Sequence, residues 1–136
     1  MNLCKETITV FNARLDRENG FDRYYGCVIA GVSWYSEIVA NVDPAGLKAA
    51  NKFTVRIPEN ADFFGKTYVS PLEYADAEDA SNFFTLKSGD VIVRGAVSVS
   101  DAKPADLHKR YEAFTVLGVT DNRRASNAPH WKVVGA

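Results

Sequence analysis

The chain has 136 residues, of which 46% are apolar and 24% charged, the composition of one globular domain and not of a disordered tail. Sixteen Lys and Arg against seventeen Asp and Glu leave a formal net charge of −1, so no global field draws the protein to nucleic acid or to an anionic membrane. A helical membrane protein, a histone-like binder, a disulfide scaffold and a coiled coil are excluded by these proportions, and residues 1–136 read as a single β-rich domain.

Met1–Glu6 lacks a basic stretch followed by an apolar one, so no secretory leader is expected. Thr7–Phe11 alternates Ile8 and Val10 against Thr7 and Thr9 and predicts a first strand. Asn19-Gly20 marks a turn inside the polar run Asp16–Asp22. A long second strand follows from about Arg23 to Ile38, with Tyr24, Val28, Ala30, Val32, Trp34 and Ile38 on one apolar face. Gly26 and Gly31 interrupt it, and bends or bulges there suit a small barrel. Asn41–Asn51, with Asp43-Pro44 and Gly46, reads as irregular.

Lys52–Ile57 alternates strictly and is a strand that Pro58 ends. Thr67–Val69 is a short extended piece. Ser70 then caps a short helix over about Pro71–Asp79, with Pro71 at its first position and Glu73 at capping-box distance. Phe83–Leu86 and Val91–Arg94 are predicted strands joined by a turn at Ser88-Gly89-Asp90, read as a hairpin. Ser98–Lys103 is a polar, mobile run, and Pro104–Lys109 a second short helix with Leu107 and Tyr111 on one face. Ala113–Val119 is a strand, Thr120–Pro129 a loop, and His130–Val134 the last strand. Helices this few and short argue against parallel βαβ units. The expected class is mainly β: a small antiparallel β-barrel or sandwich with one or two short helices.

No catalytic signature is found: GxSxG, P-loop, HExxH, EF-hand loop and GxGxxG are all missing from the sequence. No catalytic, cofactor or metal residues are therefore assigned, and no enzyme activity is expected. His108 reads as a solvated helix residue, and Tyr24, Trp34, Phe53 and Phe114 as core aromatics rather than base-stacking platforms. Cys4 and Cys27 read as reduced, buried thiols; a disulfide is geometrically open to them if the first two strands pair. In Phe63-Phe64 and Phe83-Phe84, adjacent strand residues point to opposite faces, so one of each pair tends toward the surface, where it suits a subunit interface.

Asp121-Asn122-Arg123-Arg124 is the compact basic feature of the sequence. Asp121, Arg123, Arg124 and His130 are the candidate contact residues, facing a partner protein or nucleic-acid phosphate. The alternative is a charged loop with local Asp–Arg pairing, and a capping or packing role for His130.

Five segments together carry a resemblance: Glu6–Asn12 (ETITVFN), Tyr24–Trp34 (YYGCVIAGVSW), Gly46–Pro58 (GLKAANKFTVRIP), Thr85–Gly95 (TLKSGDVIVRG) and Thr120–Gly135. On these the chain resembles a family of small, uncharacterised proteins of tailed bacteriophages and prophages of Gram-positive bacteria. It is similar, more loosely, to head–tail connector (stopper) proteins. The resemblance implies a structural virion protein that assembles as a ring of its own copies against portal, adaptor and tail proteins. It also implies non-specific contact with packaged DNA, no membrane, no cofactor, and residence in the host cytoplasm and then the virion. A tail-terminator or minor tail protein, and a small ligand- or oligonucleotide-binding barrel, are the alternatives.

Overall fold

A computed structural model of the chain describes residues 5–16, 18, 20–43, 46–99 and 102–136, with side chains described outside 39–51. Its elements in chain order are β1 (Glu6–Asp16), β2 (Phe21–Asp43), β3 (Gly46–Pro58), β4 (Thr67–Tyr68), α1 (Pro71–Asp76), β5 (Phe83–Phe84), β6 (Val91–Arg94), α2 (Pro104–Arg110), β7 (Ala113–Asn122) and β8 (His130–Gly135). Six strands close into an antiparallel barrel in the order β1-β2-β3-β8-β7-β6. The protein is therefore mainly β, a small closed barrel with two short helices. β4 and β5 form a separate parallel pair.

β2 closes the barrel because it serves two neighbours in succession. Its residues 21–32 pair with β1, and residues 33–43 with β3. The change falls at Gly31, whose φ of 88° is a left-handed conformation that costs glycine little. Glu6 opposes Val32 and Thr7 opposes Ala30, so Gly31 is the extra residue of a bulge. The bulge also shifts the inward phase. Cys27 and Ile29 are buried before it and Val32 after it. The continuous even-numbered face expected from Tyr24 to Ile38 is thus wrong: alternation restarts at Gly31, and Ile38 is 74% exposed. Gly26 sits in unbroken register opposite Phe11 and forms no bulge.

The other departures have physical reasons of the same kind. Asn41–Asn51 is not irregular, because Val42↔Leu47 and Asp43↔Gly46 continue the β2–β3 ladder up to a two-residue connection at 44–45, outside the described residues. The Ser88–Asp90 turn joins no hairpin: β5 pairs in parallel with β4, while β6 pairs with β1 and β7. Ala102 is buried and bridges Tyr24, which anchors one end of a run expected to be mobile. α1 ends at Asp76, with the Ser70 hydroxyl accepting from the Glu73 N–H as expected.

The barrel interior holds Ile8, Val10, Ile29, Val55, Ile57, Ile92, Val116 and Val133. Aromatic groups close both ends. At one, Phe53 and Phe114 stack at 5.0 Å with Trp34 edge-on to each. At the other, Phe63, Tyr68 and Phe84 surround Trp131. Phe83-Phe84 is strand, with Phe84 buried and Phe83 half-buried, whereas Phe63-Phe64 lies in a turn and not in the expected strand, with Phe63 packed on the core and Phe64 60% exposed. A second cluster lies outside the barrel wall, where Leu107 of α2 and Ala102 cover Phe11, Val91 and Val93. Burial on both faces explains why β6 reads as an unbroken apolar run.

Candidate functional site

The candidate contact residues gather where β7 passes into β8. Asp121 and Asn122 are still strand, so the loop starts at Arg123 and not at Thr120. The Asp121 carboxylate accepts the Arg123 backbone N–H at 3.0 Å, an Asx turn that starts the loop. At its far end the Glu59 N–H donates to Pro129 O at 2.9 Å, tying the loop to the end of β3.

Arg123 folds back on its own chain. Its guanidinium donates to both Asp121 oxygens, the closest at 2.7 Å from Nη2. It also lies 4.9 Å from the ring centroids of both Tyr68 and Trp131. The hydrogen bond from Arg123 holds the Asp121 carboxyl below its ordinary range, and the same bond raises the arginine. Arg123 is thereby a lid on the aromatic cluster at that end of the barrel. Arg124 is exposed and forms no ion pair among the described residues. Asp121, Arg123, Arg124 and Glu59 together line an open cavity of about 480 Å³.

His130 stands beside this group without lining the cavity. Its Nδ1 lies 2.9 Å from Ala128 O, which accepts, so the proton is assigned to Nδ1. Nε2 is then left to accept from Asn122 Nδ2 at 3.3 Å. Both ring nitrogens are used in fixing the loop against the strands. His108 is exposed on α2, with Nε2 3.0 Å from the Thr115 hydroxyl.

Sequence reasoning missed two polar clusters. Asp90 is fully buried, and its carboxylate accepts from Asn12 Nδ2 at 2.7 Å, the Ala13 N–H at 3.0 Å, the Lys87 N–H at 3.2 Å and Lys87 Nζ at 2.8 Å. Burial pushes this carboxyl up, and the donors from Lys87, Ala13 and Asn12 oppose the shift. Asn12 also binds both backbone groups of Thr85, donating to O and accepting from N. The Lys87–Asp90 turn is therefore held by a charged core network, with no following helix and no phosphate cradle. On the surface, Arg94 bridges Glu6 at 2.8 Å and Glu112 at 3.1 Å across β1, β6 and the start of β7. Lys87 and Asp90 are only three residues apart, but the links to Asn12, Ala13 and Glu6 span 73 to 88 residues, so neither cluster as a whole has a local sequence pattern.

Cys27 is buried and free, opposite Val10; Cys4 lies outside the described residues. Burial pushes the Cys27 thiol up to about 11, which makes it a poor nucleophile. Among the described residues no group of His, Cys, Asp and Glu is placed to hold a metal ion.

These features define a barrel whose charged end-loop is fastened to its own core. The chain belongs to DUF6751, a family of unknown function, whose sequence profile matches residues 3–136. Neither the curated proteins nor the solved structures gave a match.

Proposed function

We propose that the protein is a structural virion subunit of a tailed bacteriophage or prophage, a head–tail connector that assembles as a ring without catalysing a reaction. One observation carries the reading. Beyond the barrel, β2 and β3 continue as a two-stranded ribbon, from Ser36↔Phe53 to Asp43↔Gly46. β1 pairs with β2 only as far as Val32, and β8 reaches β3 only at Phe53, so among the described residues neither outer edge of the ribbon has a strand partner. Eight residues per strand project it by roughly 26 Å. An isolated two-stranded ribbon is marginal in water and gains by being covered. At its root Tyr35 and Ile38 are 56% and 74% exposed. A ring subunit needs a reaching element of this kind, engaging a different face of the next copy.

Within this reading, Arg124 is the arginine free to meet DNA phosphate, because Arg123 is committed to Asp121. Cryo-electron microscopy of the assembled virion tests the proposal. Density matching this barrel at the head–tail junction is expected, and its absence there overturns the reading. An oligonucleotide-binding barrel, the alternative from another class, instead requires single-strand binding at low salt that Arg124→Ala weakens.

A further inference from the structure

The cluster around Asp90 brings an amine, a carboxyl and a carboxamide together inside the protein. Lys87 Nζ donates to Oδ1 at 2.8 Å and Asn12 Nδ2 to Oδ2 at 2.7 Å, so one carboxylate bridges both nitrogens. The Ala13 N–H at 3.0 Å and the Lys87 N–H at 3.2 Å hold that carboxylate in place. On the carboxamide, Asn12 Oδ1 accepts the Thr85 backbone N–H at 3.2 Å. Asn12 and Asp90 are 1% and 0% exposed, so bulk water does not compete at the carboxamide. An ion pair needs only Lys87 and Asp90. The full set is what amide formation needs: a nucleophile, a proton carrier touching both the nucleophile and the leaving nitrogen, and a donor on the oxygen where charge develops.

We infer that Lys87, Asp90 and Asn12 form a self-cross-linking site, in which Lys87 Nζ becomes bonded to Asn12 Cγ as an amide, with Asp90 as the catalytic acid and base. One proton passes from the Lys87 ammonium to the Asp90 carboxylate and leaves a neutral amine. Lys87 is the flexible member. Rotation about the outer bonds of its partly exposed stem carries Nζ from Oδ1 to Cγ, within the roughly 3–3.5 Å that attack requires. The Nζ lone pair forms the new bond to Cγ, and the C=O pair moves onto Oδ1, which the Thr85 N–H stabilises. Asp90 gives its proton to Nδ2, the Cγ–Nδ2 bond breaks, and ammonia leaves as C=O re-forms. The attacking nitrogen returns one proton to Asp90, which passes it to the departing ammonia. The sum is one ammonium released and one amide formed, with no oxidant and no turnover. The bond ties β1 to the turn before β6, and the inference stands independently of ring assembly.

Mass spectrometry of the whole chain, purified folded and then held at neutral pH, tests it. The wild type is expected to lose the mass of one ammonia. Its tryptic map should contain a branched peptide joining residues 6–14 to residues 67–94, because trypsin does not cut after an acylated Lys87. Lys87→Arg and Asn12→Ala should keep their full sequence masses. Asp90→Asn, shown by NMR to be folded, should cross-link at least about a hundredfold more slowly. If that variant does not fold, the wild type decides alone: full sequence mass after prolonged incubation overturns the site. Loss of one water within residues 67–94 assigns the bond to Lys87 and Asp90 and overturns the role of Asn12. Loss of ammonia without the branched peptide marks ring closure at an asparagine such as Asn19, before Gly20, and overturns the cross-link. An Asp90→Asn rate equal to the wild type, or cross-linking of the chain held unfolded in urea, overturns catalysis by the folded cluster.

Discussion

Asp90 shows how a single buried charge organises this protein. Its four donors come from β1 and from its own turn, so it joins the first strand to the start of β6. Removing a buried charge while leaving its partners in place costs far more than losing an exposed pair. Asp90→Ala is expected to lower stability by about 3–5 kcal/mol in urea denaturation, against less than about 1 kcal/mol for Asp121→Ala at the surface. Cys27 is the complementary case, a group that burial keeps neutral. Its pKa rises from 9.0 to about 11 on folding, so the folded state holds this proton more tightly than the unfolded chain. Its contribution to stability is complete below pH 9 and is lost as pH rises through 11. The melting temperature of the wild type should therefore fall more steeply between these values than that of Cys27→Ala. Parallel slopes would show that the thiol does not titrate with unfolding.

At the scale of the element, two glycines act for opposite reasons. Gly31 has room: a Cβ there would meet nothing nearer than Ala61 Cα at 4.0 Å. Its φ of 88° is what an L side chain resists. Gly31→Ala should cost about 1–2 kcal/mol. Gly135 lacks room, since a Cβ would fall 2.1 Å from Thr115 O and 2.4 Å from Phe114 Cδ2. Gly135→Ala should cost about 3 kcal/mol or more, because backbone and a packed ring must both move. Chemical denaturation of the two variants ranks them, and the reverse order would contradict this account of how the barrel closes. The glycines also mark what was legible in advance. An interruption at Gly31 follows from its place in an apolar strand. The tight site at Gly135 depends on β7 lying alongside, which nothing local reveals.

For the whole molecule, the ribbon of β2 and β3 lies outside the core, so stability and assembly should separate. Tyr35→Ser with Ile38→Ser should change unfolding free energy by less than about 1 kcal/mol, because both residues are mostly exposed. In a phage lacking the wild-type gene, the same double variant should fail to complete virions. Normal virion yield with the variant would remove the ribbon from the proposed interface. The near-zero net charge fits this picture, since copies packed side by side repel one another little.

Alternation, turn residues and caps by themselves determined the fold class, most strand positions and the Ser70 cap, because each depends on neighbours within a few residues. They also placed Asp121, Arg123 and Arg124 at one connection. Only the tertiary structure decided the rest. It showed that Arg123 lies over Tyr68 and Trp131 and pairs with Asp121, leaving Arg124 without an ion pair among the described residues. It brought Asn12 to Asp90 across 78 residues. It turned the expected irregular segment into a ribbon and restarted the inward face of β2 at Gly31. Each of these follows from which strands meet when the barrel closes. Closure is a long-range property, and the residues that pair through it share no pattern in the linear chain.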